Sequence, residues 1–491
     1  MLLLGIDVGT SSVKVSVVDA ASGACVASAQ HPETEAPIIA LQPGWAEQSP
    51  ESWWQSATHA FKKAAATQTF NPKEIKAIGI AYQMHGLVVV DKNQTALRNS
   101  IIWCDSRAVP YGDAAFKSIG AKKSLRSLLN SPGNFTASKL AWVKEHEREV
   151  FEKIDKVILP GDFIAMKLTG EITTTASALS EAILWDFERD KISKNVIQYF
   201  DFDKTLFPKV QPLFSEHGHL KKSVAEEWGL PAEIPVTYKA GDQPNNALSL
   251  NVLQPGEVAA NAGTSGVIYG VSDALTYDKQ SRVNSFAHVN YGAEKRIGVL
   301  LCINGTGIAN RWLRDNMGVS KSYAELNGEA QNIDAGSGGL LFLPFGNGAE
   351  RMLNNKIVGA QLYGVDFNKH TPAHVYRAGQ EGVAFAFRYG LDIMRETGMT
   401  PSVIRAGKAN MFLSPVFAEA FVNATGVPVE LYNSDGSVGA ALGAGIGAGI
   451  YKTESDAFAN LKPLQLIEPT QADVYNDLYA AWKKRLEKQL A

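Results

Sequence analysis

Cysteine is scarce in this chain. Cys25, Cys104 and Cys302 are the only three in 491 residues, and their odd number and wide separation exclude a disulfide framework and a zinc site. Such usage fits a reducing cytoplasm, the expected location. An excess of charge of either sign is missing too. There are 47 Lys and Arg against 50 Asp and Glu, and no basic run offers nucleic acid a footprint, so any anionic ligand must be met by local donors and metal. Long apolar runs are absent. Met1 to Gly5 is too short for the core of a signal segment, and residues 438–450 are rich in Gly and Ala and shorter than a membrane span, so no membrane association is expected. The common nucleotide motifs are lacking as well. There is no Gly-x-x-x-x-Gly-Lys-Ser/Thr, no Gly-x-Gly-x-x-Gly opening a βαβ unit, and no His-Arg-Asp with Asp-Phe-Gly.

With 45% hydrophobic and 20% charged residues, the chain reads as a globular protein too long for one core, so two domains are the default. Its first apolar runs, Leu2–Ile6 and Val13–Val18, read as paired strands around the turn Asp7-Val8-Gly9-Thr10-Ser11-Ser12. Gly9 lets backbone N–H groups converge there, the hydroxyls add donors, and Asp7 at the strand end can hold a magnesium ion through its carboxylate or a bound water. One such turn alone reads equally well as an ordinary hairpin, since Gly, Ser, Thr and Asp are common turn residues. A second copy tips the balance. Gly9, Thr10, Ser11, Val13, Val17 and Asp19 recur without a gap as Gly263, Thr264, Ser265, Val267, Val271 and Asp273. Two phosphate-type hairpins, one opening each half, point to a duplicated fold with nucleotide between the halves.

In this duplication the chain resembles the sugar kinases of the FGGY family, within the actin, hexokinase and heat-shock ATPase superfamily. The resemblance implies an α/β, ribonuclease H-like fold of two repeated βββαβαβα domains, residues 1–248 for sugar and 249–491 for nucleotide. It implies ATP with Mg2+ as the phosphoryl donor, gripped by Gly9, Thr10, Ser11, Lys14, Gly263, Thr264 and Ser265. The adenine turn would be Val403 to Asn410, where only Gly407 and Asn410 keep the family pattern; Arg405 and Lys408 replace small residues. A homodimer stays open.

The sugar side is expected in the loop Gln83-Met84-His85-Gly86, between the buried strands Ile78–Tyr82 and Leu87–Val90. A structural histidine is the plainer reading of His85 alone, but the tetrapeptide resembles the branch of the family that phosphorylates D-xylulose. Trp103 and Asp105 match the family's Trp-x-Asp-x-Arg stretch, an aromatic wall and a carboxylate suited to a polyol, with an Asp105–Arg107 bridge as the alternative. From Ala178 to Asp186 the family's Ser-Asp is replaced, in what reads as a loop near the sugar, so another ketopentose or a pentitol is the second choice of substrate.

The junction Ala240-Gly241-Asp242-Gln243-Pro244 ends a strand and begins a helix, which leaves Asp242 facing the cleft. A carboxylate held by helix amides should have a low pKa. Phosphoryl transfer tolerates this, because the hydroxyl needs orienting more than it needs a strong base. The resemblance makes Asp242 the proton acceptor. An actin-like or chaperone-like nucleotide-dependent binding protein is the rival class; it would need neither Asp242 nor the Gln83–His85 loop.

Overall fold

The structure, a computed structural model, describes residues 1–318 and 320–491. The first sheet has five strands: β1 (Leu2–Val8), β2 (Val13–Asp19), β3 (Cys25–His31), β4 (Ile75–Tyr82) and β5 (Val236–Gly241), in the order β5-β4-β1-β2-β3. β5, β4 and β1 run parallel, while β1–β2 and β2–β3 are antiparallel. The second sheet holds β6 (Glu257–Ala262), β7 (Gly266–Ser272), β8 (Asn284–Ala287), β9 (Ile297–Ile303), β10 (Val403–Gly407), β11 (Val429–Tyr432) and β12 (Gln465–Ile467). Its order is β8-β9-β7-β6-β10-β11-β12. Without its edges it reads β11-β10-β6-β7-β9, with the first sheet's pattern of parallel and antiparallel pairs. The duplication expected from two short motifs is thus a duplication of topology.

β1 is apolar almost throughout because both of its faces are covered. Leu2, Leu4, Ile6 and Val8 share a core with Ala57 and Phe61 of α1 (Pro50–Ala66), which has Pro50 at its first position. Leu3, on the other face, packs with Ala77, Ala81, Ala440, Ala441 and Ala444. The expected loop near Ala178 is helical instead: α3 (Ala176–Glu181) stands there, and α2 (Pro160–Thr169) follows the strand at Val157. Pro160 sits in the first turn of α2, and the Thr175 hydroxyl caps α3 by accepting from the Ala178 N–H, which explains both starts.

Two helices bridge the halves. α4 (Asp242–Ser249) leaves the first sheet, and the second half runs through α5 (Gly307–Met317), α6 (Pro372–Glu396) and α7 (Pro415–Thr425) before α8 (Gly436–Gly447) returns to lie on that same sheet beside α4. The approach of α8 is backbone on backbone. A Cβ on Gly5 would lie 1.8 Å from the Ser437 carbonyl oxygen, and one on Gly79 1.9 Å from that of Ala440. The glycines and alanines of α8, poor helix formers in part, are there for contact. The halves also meet at the edge strand β8. Asn130 exchanges two hydrogen bonds with the Ser285 backbone, while Ser177 and Ser180 bond the carbonyl and N–H of Ala287. In the C-terminal helix, Ala472–Leu490, the buried stripe is Tyr475, Tyr479, Trp482 and Leu486, while Val474 is exposed. Among the described residues no helix is long and apolar enough to cross a membrane.

Candidate active site

The first hairpin turn and the Gln83–His85 loop form one hydrogen-bonded unit. β1 and β4 are parallel neighbours that end together, and the Gln83 N–H donates to the Val8 carbonyl at 2.8 Å. Thr10 Oγ1 donates to Gln83 Oε1 at 3.3 Å and accepts from Trp103 Nε1 at 3.0 Å. Gln48 closes the unit by donating to the Thr10 carbonyl and accepting from Gln83 Nε2 at 3.0 Å. Trp103 keeps 52% of its surface exposed while held this way, as a wall facing open space would be.

His85 occupies the left-handed region, φ +64°, unusual for a side chain of its size. Two buried ionisable residues, Glu181 and Lys139, pin it there. The Glu181 carboxylate accepts from its N–H at 2.7 Å, and Lys139 Nζ donates to its carbonyl at 2.8 Å. Burial and then Lys139 lower the imidazole pKa to about 3, so the ring is neutral. Its Nδ1 meets the Glu181 carbonyl oxygen at 3.0 Å, and a carbonyl can only accept; the proton is therefore on Nδ1, and Nε2 is left as an acceptor for a hydroxyl. Met84, 5% exposed, lies over Gly241, one residue before Asp242; a Cβ on Gly241 would be 2.5 Å from Met84 Cγ. Glu181, on α3, also accepts from Tyr82 Oη at 2.9 Å, and burial pushes its pKa up to about 8.

Asp242 is the first residue of α4, and its surroundings reverse the low pKa expected of a helix-held carboxylate. Burial first, then the charge of Asp7, push it up to about 7, against hydrogen bonds at Gln243 that favour the ionised form. Asp7 is itself raised to about 6, by burial and by Asp435, with Lys14 opposing. Asp435 caps α8 by accepting from the Ser437 N–H at 2.9 Å and pairs with Lys14. The hydrogen bonds from Lys14 and Ser437 outweigh its burial and hold its pKa low. Lys14, expected at the phosphates, is thus engaged with Asp435. Three carboxylates crowded in one cleft invite a cation. Among the described residues no set of three or more His, Cys, Asp or Glu is arranged as a metal cage.

The second hairpin opens on a cavity of about 360 Å³, lined by Gly263, Thr264 and Asn410 among others. The Gly307 and Ile308 N–H groups, at the start of α5, donate to the Gly263 and Thr264 carbonyls and fix the turn against that helix. Arg311, Tyr323, Asn327, Met411 and Leu413 also line this cavity, and sequence reading missed all five; Tyr323 and Asn327, one helical turn apart, carry no motif that would have marked them. Gly407 belongs to an adjoining cavity of about 190 Å³ with Asn246, Asn261, Lys408 and Ser434, where the first residues after Asp242 meet the second hairpin. Asp435 was also missed, although an aspartate before Gly-Ser at a helix start is a readable cap.

Other expected residues lie elsewhere. Asp105 is fully buried, its carboxylate bonded to the Ala46 N–H at 2.6 Å and to the Arg107 guanidinium at 2.7 Å, so it forms the Arg–Asp bridge and offers a sugar nothing. Arg405 points away from the adenine turn into ion pairs with Glu257 at 3.0 Å and Glu430 at 2.9 Å. Ser11 is exposed at the tip of its turn, and Ser265 lines neither cavity.

Comparison with known proteins gives a consistent picture. The FGGY family of carbohydrate kinases matches over its N-terminal domain at residues 2–249 and over its C-terminal domain at residues 258–450. The xylulose kinase of Klebsiella pneumoniae is 30% identical over 480 residues, 96% of this chain and 95% of that protein. That of Escherichia coli K12 is 30% identical over 490 residues, 99% of this chain and 97% of that protein. The crystal structure of xylulose kinase from Rhodospirillum rubrum superposes with a TM-score of 0.89 at 25% identity, covering 99% of both chains.

Proposed function

The chain belongs to the FGGY family of carbohydrate kinases, and from that premise we propose that it transfers the γ-phosphoryl group of ATP to D-xylulose, giving D-xylulose 5-phosphate. The choice of sugar is supported by the relatives named xylulose kinase and by the Gln83-Met84-His85 loop. In this reading residues 1–248 carry the sugar and 249–491 the nucleotide. The observation that carries the chemistry is the Asp242 carboxyl, set at the joint between strand and helix with its pKa pushed up to about 7.

The sugar lies against Trp103, Met84 and the acceptor Nε2 of His85, with its terminal hydroxyl at Asp242. The nucleotide lies in the cavity of Thr264 and Asn410, its phosphates directed toward the two hairpin turns. Asp242 orients the hydroxyl and takes its proton as the oxygen–phosphorus bond forms. The bond from the γ-phosphorus to the bridging oxygen breaks, and its electron pair leaves with ADP. A pKa near 7 suits a proton acceptor at neutral pH. Asp7 would hold magnesium through water, and the ion when bound supplies charge neutralisation on the phosphates. Closure of the halves excludes water, which would otherwise compete for the phosphoryl group.

A coupled assay of ADP release over a panel of ketopentoses, pentitols and hexuloses tests the reading. The expected result is the highest kcat/KM for D-xylulose. Preference for another sugar would replace the substrate, and ATP turnover indifferent to every sugar would overturn the kinase assignment of this cleft.

A further inference from the structure

Glu350 and Arg351 take no part in the chemistry above, yet they reach the same cleft from the second half. The Glu350 carboxylate, 1% exposed, accepts from the Asn304 N–H at 3.0 and 3.2 Å and so anchors the short 3₁₀ turn Arg351–Leu353 beside the end of β9. Arg351 is half-buried and has one hydrogen bond, from Nη1 to the Ser281 carbonyl at 3.4 Å. Ser281 Oγ donates to Ser131 Oγ of the first half at 3.1 Å, which places the guanidinium at the seam between the halves. Five residues beyond Ser281, the Phe286 ring packs on the His85 ring with centroids 5.4 Å apart. Among the described residues no carboxylate pairs with Arg351. Ser131 lies four residues before Phe135, whose ring meets the His85 ring edge-on with centroids 4.7 Å apart, and Ile303, next to the Asn304 that Glu350 holds, pairs with Gly266 at the second hairpin.

A cation therefore stands at the seam between the sugar loop and the second hairpin, half-buried and without a carboxylate partner among the described residues. Such a group is costly to keep unless something anionic arrives beside it. The sugar is neutral, and the bulk of the nucleotide belongs at the second hairpin; the anion that comes to rest on the sugar side is the transferred phosphoryl group. We propose that Arg351 is the counter-charge for that group, donating to its oxygens as it passes to the sugar and holding the sugar phosphate until the halves open. The inference rests on the kinase reading above. When the new oxygen–phosphorus bond has formed, the hydroxyl proton is on Asp242 and ADP has left with the electron pair, the ester carries the negative charge that Arg351 lacks. A guanidinium presents paired N–H groups that match two phosphoryl oxygens.

The test uses the whole protein, first establishing which sugar the wild type phosphorylates. Calorimetric titration with that sugar and, separately, with its phosphate ester is then compared for wild type, Arg351→Lys and Arg351→Met, each checked for an unchanged melting temperature. The expected result is at least tenfold weaker binding of the ester by Arg351→Met, less than threefold change for the free sugar, and partial recovery in Arg351→Lys. Equal losses for both ligands, or none for the ester, would overturn the proposal and leave the kinase reading intact. A wild type that phosphorylates no sugar would overturn both.

Discussion

Two residues before its glycine the first hairpin has Asp7, and five after it Lys14; the second hairpin has Asn261 and Ile268 in those places. The backbone plan is shared, but only the first copy is charged. Its partners differ as well. Thr10 is hydrogen-bonded by the side chains of Trp103 and Gln83, whereas the second turn is fixed through its carbonyls to the start of α5 and leaves the Thr264 side chain exposed at a cavity. One turn is thus hydrogen-bonded to the Gln83–His85 loop and the other opens on a cavity. Duplication supplied two Gly-Thr-Ser bends, and divergence put the ionisable groups in one of them, next to Asp242.

That contrast can be broken by giving the first half the second's amides. Asp242→Asn should have the largest effect, about a 10³-fold fall in kcat with sugar and nucleotide affinities retained, read by steady-state kinetics beside calorimetry; near-normal turnover would remove Asp242 from the mechanism. Asp7→Asn makes the first hairpin resemble the second, and kcat should fall about 10²-fold with a higher magnesium requirement. It should also move the acid limb of the kcat/KM profile. In the proposed mechanism Asp242 acts as a carboxylate, so activity should fall as pH drops through about 7; removing the like charge of Asp7 lets Asp242 ionise more easily, and the residual activity should persist to lower pH. An unmoved limb would separate the two carboxylates.

The packing difference can be tested next. Gly5 lies under α8, and its counterpart two residues before Asn261, Ala259, already carries a methyl group. Gly5→Ala should cost ~2 kcal/mol in chemical denaturation. The smallest effect should come from charging the neutral copy. Asn261→Asp lines the polar cavity with a carboxylate that repels phosphates, and the KM for ATP should rise about tenfold with the sugar KM unchanged. A fall in that KM would mean that Asn261 faces a cation instead.

The parts legible in the sequence were those with local signatures. The apolar run Leu2–Ile6 and Asp242 between Gly241 and Pro244 each announce their own backbone, and the repeated Gly-Thr-Ser announces the duplication. What stayed hidden depends on contacts between distant segments. Nothing near Lys14 reveals that its partner is Asp435, 421 residues on. The Asp105 carboxylate could serve a sugar or Arg107 until burial decides it. The raised pKa of Asp242 follows from burial and from Asp7, neither visible in the six residues around it, whereas the helix amides that would lower it are visible and misled. Arg405 was judged by its place in a motif, yet in a strand its neighbour Ala406 faces the other way, and Glu257 and Glu430 were waiting across the sheet.

The return of α8 to the first sheet bears on how the protein can be cut. A fragment ending at Leu248 would have every strand of that sheet but not the helix that covers Gly5 and Gly79, so one face of its central strands would be bare to water. The complementary fragment would carry that helix with nothing to lie on. Each piece should aggregate when expressed alone, and the two should recover a soluble complex when produced together, because the chain that leaves the first half must come back to finish it.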